Sequence, residues 1–140
     1  MSDLKAFLKP SVVEMTSAVI VSNRFVNKDG KPAEFKIKSI TQAQNDALIK
    51  ASTKTVPGKR GQREEIFNKI QYQSRLVVEC TAMPNFRDPE LLQAYSVVDP
   101  LELPGKMLLA GEFAKLADAI MVVNGFEEED PEALREEAKN

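Results

Sequence analysis

The chain has no histidine and no tryptophan, a single cysteine, and few aromatic residues (6%). Without histidine, the commonest general base, the commonest metal ligand and the physiological pH switch are all missing. Serine–histidine and cysteine–histidine nucleophilic sites, and histidine-containing zinc sites, are excluded within this chain. One cysteine cannot close an internal disulfide, which suits a reducing compartment. No run of about 18 apolar residues occurs, so no membrane-spanning helix is expected. The opening MSDLKAFLKP has neither a basic start nor a long apolar stretch, so a secretory leader is not expected either. Only carboxylates, lysines and two tyrosines remain for chemistry. No catalytic residue, metal site or cofactor site is read from them.

The 140 residues fit one domain. A chain of this length buries roughly two-thirds of its unfolded surface, enough for a real core. The net charge of −2 is unevenly spread. Residues 127–140 hold seven acidic and two basic side chains, a local charge of −5, so residues 1–126 carry +3. The expected organisation is a domain over 1–126 and an acidic tail over 127–140. Such a tail is most simply a solubilising extension.

Along the chain, residues 3–9 read as a short helical piece with Leu4, Phe7 and Leu8 on one side, ended by Pro10. Residues 12–26 are rich in β-branched side chains and read as strand. Residues 33–40 alternate, with Phe35 and Ile37 on one face and Lys36 and Lys38 on the other. A two-residue Asp29-Gly30 turn would set Phe25 opposite Glu34 and mix the faces. A three-residue loop, Lys28-Asp29-Gly30 with Gly30 left-handed, restores the match. Thr41 with Gln44 is a capping box that opens a helix to about Lys50. Residues 52–62 read as a loop. A long helix from Glu64 or Glu65 to about Ala82 reads as central, because it is apolar over a wide arc.

The stretch from Ala82 to Phe126 is the richest in signals. Pro84 ends the preceding helix. Asp88-Pro89 and Asp99-Pro100 are each an N-cap followed by proline at the first helical position. Pro104-Gly105 divides residues 100–109 into two short pieces. Gly111-Glu112 opens the last helix, on which Phe113, Leu116, Ala117, Ile120 and Val123 share a face. Gly125 is suited to close it in a left-handed conformation. The expected fold is α+β, an N-terminal β-hairpin packed on a mainly helical unit of four to five helices.

The order DPELLQAY, KMLLAGEFAKLADAI and NGF, with VSNRF at residues 21–25, resembles the XkdN-like tail assembly chaperones of long-tailed phages and prophages. The likeness spans most of residues 4–126. It implies a non-enzymatic factor of the host bacterial cytoplasm, absent from the mature virion. The implied partners are the tape measure protein, which it would shield before and during tail tube polymerisation, and the tail tube protein; self-association is left open.

Five residues are the candidates for partner binding. Met107, Leu109 and Met121 belong to an apolar set larger than one helix face needs, and methionine suits adaptable apolar surfaces. Lys59 and Arg60 lie in the basic segment 54–63, KTVPGKRGQR. That segment lacks the spacing of a phosphate-binding loop and has no cluster of aromatics for base stacking. It is read first as a solvated connection. The alternative is a small nucleic-acid-binding or regulatory module, which would ordinarily be strongly basic. Cys80 reads as a small core residue. Glu112 reads as a first-turn carboxylate, and nothing places it beside Glu79 or Asp118.

Overall fold

The structure, a computed structural model, describes residues 3–8 and 14–126. In chain order the elements are a 3-10 turn (Asp3–Phe7), β1 (Thr16–Val19), β2 (Phe35–Lys38), α1 (Gln42–Ala51), β3 (Thr53–Pro57), a 3-10 turn (Lys59–Gly61) and β4 (Arg63–Phe67). There follow α2 (Lys69–Cys80), β5 (Thr81–Met83), α3 (Pro89–Ala94), a 3-10 turn (Pro100–Glu102), α4 (Leu103–Met107) and α5 (Ala110–Val123). The chain is α+β, as expected.

β2 is the centre of a three-stranded antiparallel sheet ordered β1-β2-β5. Its alternation holds: Phe35 and Ile37 are buried, and Lys36 faces solvent. The pairing sets Val19 opposite Phe35 on the inner face and Ala18 opposite Lys36 on the outer one. Helix α5 packs against β1 and β2.

The turn has the predicted length. Asn27 N–H donates to the Lys31 carbonyl at 2.8 Å across Lys28-Asp29-Gly30. Gly30 has φ of 78°, which a side-chain-bearing residue adopts only with strain. The Asn27 side chain also accepts from the amides of Asp29 and Lys31. The first strand, by contrast, does not run unbroken to residue 26. Near the turn Val26 bridges Pro32, whereas within the sheet Val19 pairs with Phe35. Residues 20–24 leave the ladder, because Val21 turns into the core and Arg24 reaches across to α5. The register changes by an even number of residues, so both ends keep the same face inward.

Residues 52–67 differ most from expectation. They form a β-hairpin, not a loop followed by a helix. β3 and β4 pair over five rungs, from Thr53↔Phe67 to Pro57↔Arg63, as a separate two-stranded sheet. Thr53, Thr55, Val56, Ile66 and Phe67 are residue types that favour extended backbone. Asn68 then caps α2, its side chain accepting from the Gln71 amide. The helix therefore starts later than predicted. It also stops earlier, at Cys80, because Thr81–Met83 pairs with β2 as a third strand.

Elsewhere the caps set the boundaries as read. Thr41 and Gln44 form the reciprocal capping box. Asp88 and Asp99 accept from the amides of Glu90 and Leu101, each before a proline. Helix α5 closes with Gly125 N–H donating to the Val122 carbonyl and Phe126 N–H to that of Met121. Gly125 takes the left-handed conformation this motif requires.

The core gathers Phe86, Ile37, Leu103, Leu116, Ile120 and Val77, all fully buried. Helix α2 is central, as predicted, touching α1, α4 and α5. Cys80 is enclosed in this core and burial pushes its thiol up. The expected strand start at Val12 and the acidic tail over 127–140 lie outside the described residues.

Candidate partner-binding surface

Several sequence signals turn out to be braces. Arg24 forks onto Glu112, with Nε donating to Oε2 at 2.9 Å and a terminal nitrogen donating to Oε1. The same guanidinium donates to the Met107 carbonyl at 3.1 Å. Glu112 also accepts the Leu109 amide at 2.7 Å, so this buried carboxylate fixes the start of α5. Arg24 lies over the Phe25 ring, and Phe25 packs on Phe35. At the other end of α5, the Asn124 side chain accepts from the Ile40 amide at 2.8 Å and donates to the Ile120 carbonyl. VSNRF and NGF therefore tie the sheet to the two ends of one helix.

The Arg24 guanidinium holds the Glu112 carboxyl at about 2, well below its ordinary 4.5. A depressed carboxyl contributes stability that is complete above its unfolded value and is lost as pH falls toward the folded one. Glu112→Gln is thus expected to melt below the parent at pH 7. The gap should narrow between pH 4.5 and about 2. Thermal melts at four or five pH values check this, and a gap independent of pH would contradict it.

Glu112 is engaged by Arg24, and Glu79 pairs with Arg87 at 3.1 Å. Among the described residues no group of three or more histidine, cysteine, aspartate or glutamate side chains is placed to hold a metal. No described helix is long and apolar enough to cross a membrane.

The five candidate residues fall in three places. Met107 is 7% exposed and sits in the core under α5, so it has little surface to offer. It was expected at the surface because the sequence does not reveal that α4 is covered. Leu109 is 60% exposed, just before α5, and Met121 is 37% exposed near its other end. Twelve helical positions separate them, about 18 Å, so they do not form one patch. Met121 lies close in sequence to two other exposed apolar residues, Val122 and Phe126.

Lys59 and Arg60 stand at the tip of the β3–β4 arm. Every residue of β4 is exposed, and the arm is joined to the body at its base by Asn68 N–H donating to the Ser52 carbonyl. Arg60 has φ of 59°, a left-handed conformation that costs a non-glycine residue about 1–2 kcal/mol. Lys54, Lys59, Arg60 and Arg63 have no carboxylate within ion-pair distance among the described residues. At the root of the arm, exposed Ile66 and Phe67 run directly into Ile70, which is 79% exposed at the first turn of α2. Phe67 stacks edgewise on Tyr72, which hydrogen-bonds Asn45 on α1. The sequence reading missed this apolar root because it assigned all three residues to one helix. A second surface is a groove of about 340 Å³ between β5 and α3, lined by Met83, Pro84, Leu91 and Ala94 with Asp88 and Glu90 at its rim.

The chain can now be set against known proteins. A family described as phage XkdN-like tail assembly chaperone protein matches residues 4–139. The chain belongs to that family. Two proteins of Bacillus subtilis strain 168 are each 37% identical to it over 142 residues. One is the uncharacterized protein YqbN, the other the phage-like element PBSX protein XkdN. The matches cover 99% of this chain and 93% and 94% of theirs. The crystal structure of YqbN superposes with a TM-score of 0.74 at 29% identity, covering 91% of this chain and 99% of that one. As a tail assembly chaperone of phage or prophage type, the chain has its braces in three of the four motifs that carried the resemblance, VSNRF, KMLLAGEFAKLADAI and NGF. Exposed apolar and basic residues occur on the β3–β4 arm, and exposed apolar residues also occur elsewhere, among them Val98, Leu109 and Phe126.

Proposed function

We propose that this chaperone acts without catalysis in the host cytoplasm, binding apolar helical segments of the tape measure protein until tube subunits displace it. It leaves before the virion is complete. The observation that carries this reading is the arm: an exposed two-stranded sheet with Ile66, Phe67 and Ile70 at its root and unpaired cations at its tip. A lone two-stranded hairpin is marginal by itself, so a bound client that adds contacts to it also stabilises it.

Magnitudes favour a weak, repeated contact. Fully burying one such side chain contributes about 1.5–3 kcal/mol, and with Ile66 and Phe67 already about half buried the three together give roughly 3–5. Association costs an estimated 4–15 kcal/mol of lost freedom. One arm therefore holds a client only loosely. Many copies along a long client can each cover one segment, so the client is shielded piece by piece. Leu109 and the Met121 end of α5 are proposed as auxiliary contacts.

Co-expression with a tape measure fragment tests the reading. The fragment is expected in the soluble fraction with the chaperone and in the pellet without it. Equal precipitation in both cases would overturn the proposal. The basic tip also favours a test of the nucleic-acid alternative: salt-sensitive DNA or RNA binding, lost on Lys59→Ala with Arg60→Ala, would support that reading instead.

A further inference from the structure

We infer that two copies of this chain pair through the free edge of β4, antiparallel about a twofold axis, and so join their arms into one four-stranded sheet. The contact rests on the strand edge and its charges, not on the function proposed above.

The hydrogen-bond pattern of the arm identifies the edge. At its two ends Asn68 N–H donates to the Ser52 carbonyl at 2.8 Å and Gly58 N–H to the Gln62 carbonyl at 2.6 Å. Bonded pairs alternate along an antiparallel ladder, so Lys54↔Ile66 and Val56↔Glu64 are the bonded pairs between those ends. Arg63, Glu65 and Phe67 therefore turn their N–H and C=O groups away from β3, to a side where no described strand meets them. On the opposite side of the arm, β3 turns out Thr53, Thr55 and Pro57. Pro57 has no N–H to give, and β3 lies beside α1. The β4 edge is thus the complete one, and every residue of the strand is exposed. Such an edge is a template for another strand.

Its own copy fits it. A twofold pairing has to match Arg63, Glu65 and Phe67 among themselves, because only these bond outward. An axis at Arg63 or at Glu65 sets that charge against itself in a bonded pair. An axis at Ile66 or Phe67 slides each basic tip along the start of the other copy's α2, toward Lys69. An axis at Glu64 sets Arg63 opposite Glu65 twice, and each of those pairs exchanges two hydrogen bonds. Neither side chain has an ion-pair partner among the described residues. The cost is that Glu64 meets its own copy on the axis. Two attractive cross-strand pairs outweigh one repulsive pair, so this register is favoured.

Pairing supplies what the arm lacks, since three or more strands are needed where two are marginal. One strand edge is smaller than the roughly 1,200–2,000 Å² of a stable complex, so the dimer is weak. It forms where copies are crowded, as they are along one client in the reading above.

Sedimentation equilibrium of the full chain, taken to about 0.5 mM because a small interface demands it, tests this. A reversible monomer–dimer equilibrium is expected. Arg63→Glu should weaken it about tenfold, since both attractive pairs become repulsive, and Arg63→Glu with Glu65→Arg should restore it. Glu64→Gln should tighten it several-fold. These positions are exposed, so every variant should melt with the parent. Oxidised cysteine variants then fix the register. Glu64→Cys places two thiols on the axis at a Cα separation of about 4.5 Å, within disulfide range. Ile66→Cys leaves them about 13 Å apart along the strands. Cys80 is buried and does not compete. A covalent dimer from Glu64→Cys and none from Ile66→Cys is expected. A parent that stays monomeric, a charge swap that does not restore pairing, or the absence of a link at position 64 overturns the proposal. The assay contains no client, so its failure is distinct from failure of the tape measure experiment.

Discussion

Phe86→Ala is expected to lower stability by about 3–5 kcal/mol, the range for removing a buried phenylalanine. Phe86 is fully enclosed, the largest side chain so placed, and lies in the link between β5 and α3. It belongs to the same core cluster as Leu103, Leu116 and Ile120, which are also fully buried. A domain of this size typically has about 5–15 kcal/mol in all, so the variant loses about a fifth of that or more. Its melting temperature should fall by roughly 10–20 °C. Val98→Ala, at a position 93% exposed, should change stability by no more than about 0.5 kcal/mol. A Phe86→Ala variant melting with the parent would mean that the link does not enter the core.

The second large effect is on the client and not on the fold. Ile66→Ser with Ile70→Ser removes two exposed side chains from the root of the arm. Their loss should leave the thermal melt close to the parent's, since neither is buried. Client binding should weaken roughly 30-fold or more, from a loss of about 2–4 kcal/mol of apolar burial. In co-expression the tape measure fragment should return to the pellet. A variant that folds and still keeps the fragment soluble would move the contact away from the arm, toward the Met121 end of α5 or the groove beside Met83.

The legible parts of this fold were those written in local chemistry. Caps at Thr41, Asp88 and Asp99, and the glycine after Asn124, fixed helix ends because each satisfies backbone groups within a few residues. The Lys28-Asp29-Gly30 loop was legible because only an odd loop kept Phe25 and Phe35 on one face. What was hidden depended on distant partners. Ile66, Phe67 and Ile70 fit a helical spacing as well as a strand, and only the pairing with Thr53 and Lys54 decides between them. Thr81 to Met83 became strand because β2 offered an open edge. Phe86 sits in a stretch rich in proline, asparagine and aspartate, where periodicity has nothing to report. Met107 was chosen for a surface on residue type, and the covering of α4 placed it in the core. Arg24 carries no local signal of its role, because its partner lies 88 residues away.

The surface was legible in part. The basic tip at Lys59 and Arg60 was visible as composition, and the apolar root beside it was not. The resemblance that named the family rests on helix caps and core leucines in a set order, so it identifies the scaffold more directly than the contact.

Hydrogen–deuterium exchange on the chaperone with and without a tape measure fragment tests the central claim most directly. The account predicts slower exchange concentrated at residues 53–70, the arm and the first turn of α2, with the core helices unchanged. Unchanged exchange throughout the arm, with protection appearing elsewhere or nowhere, would contradict it.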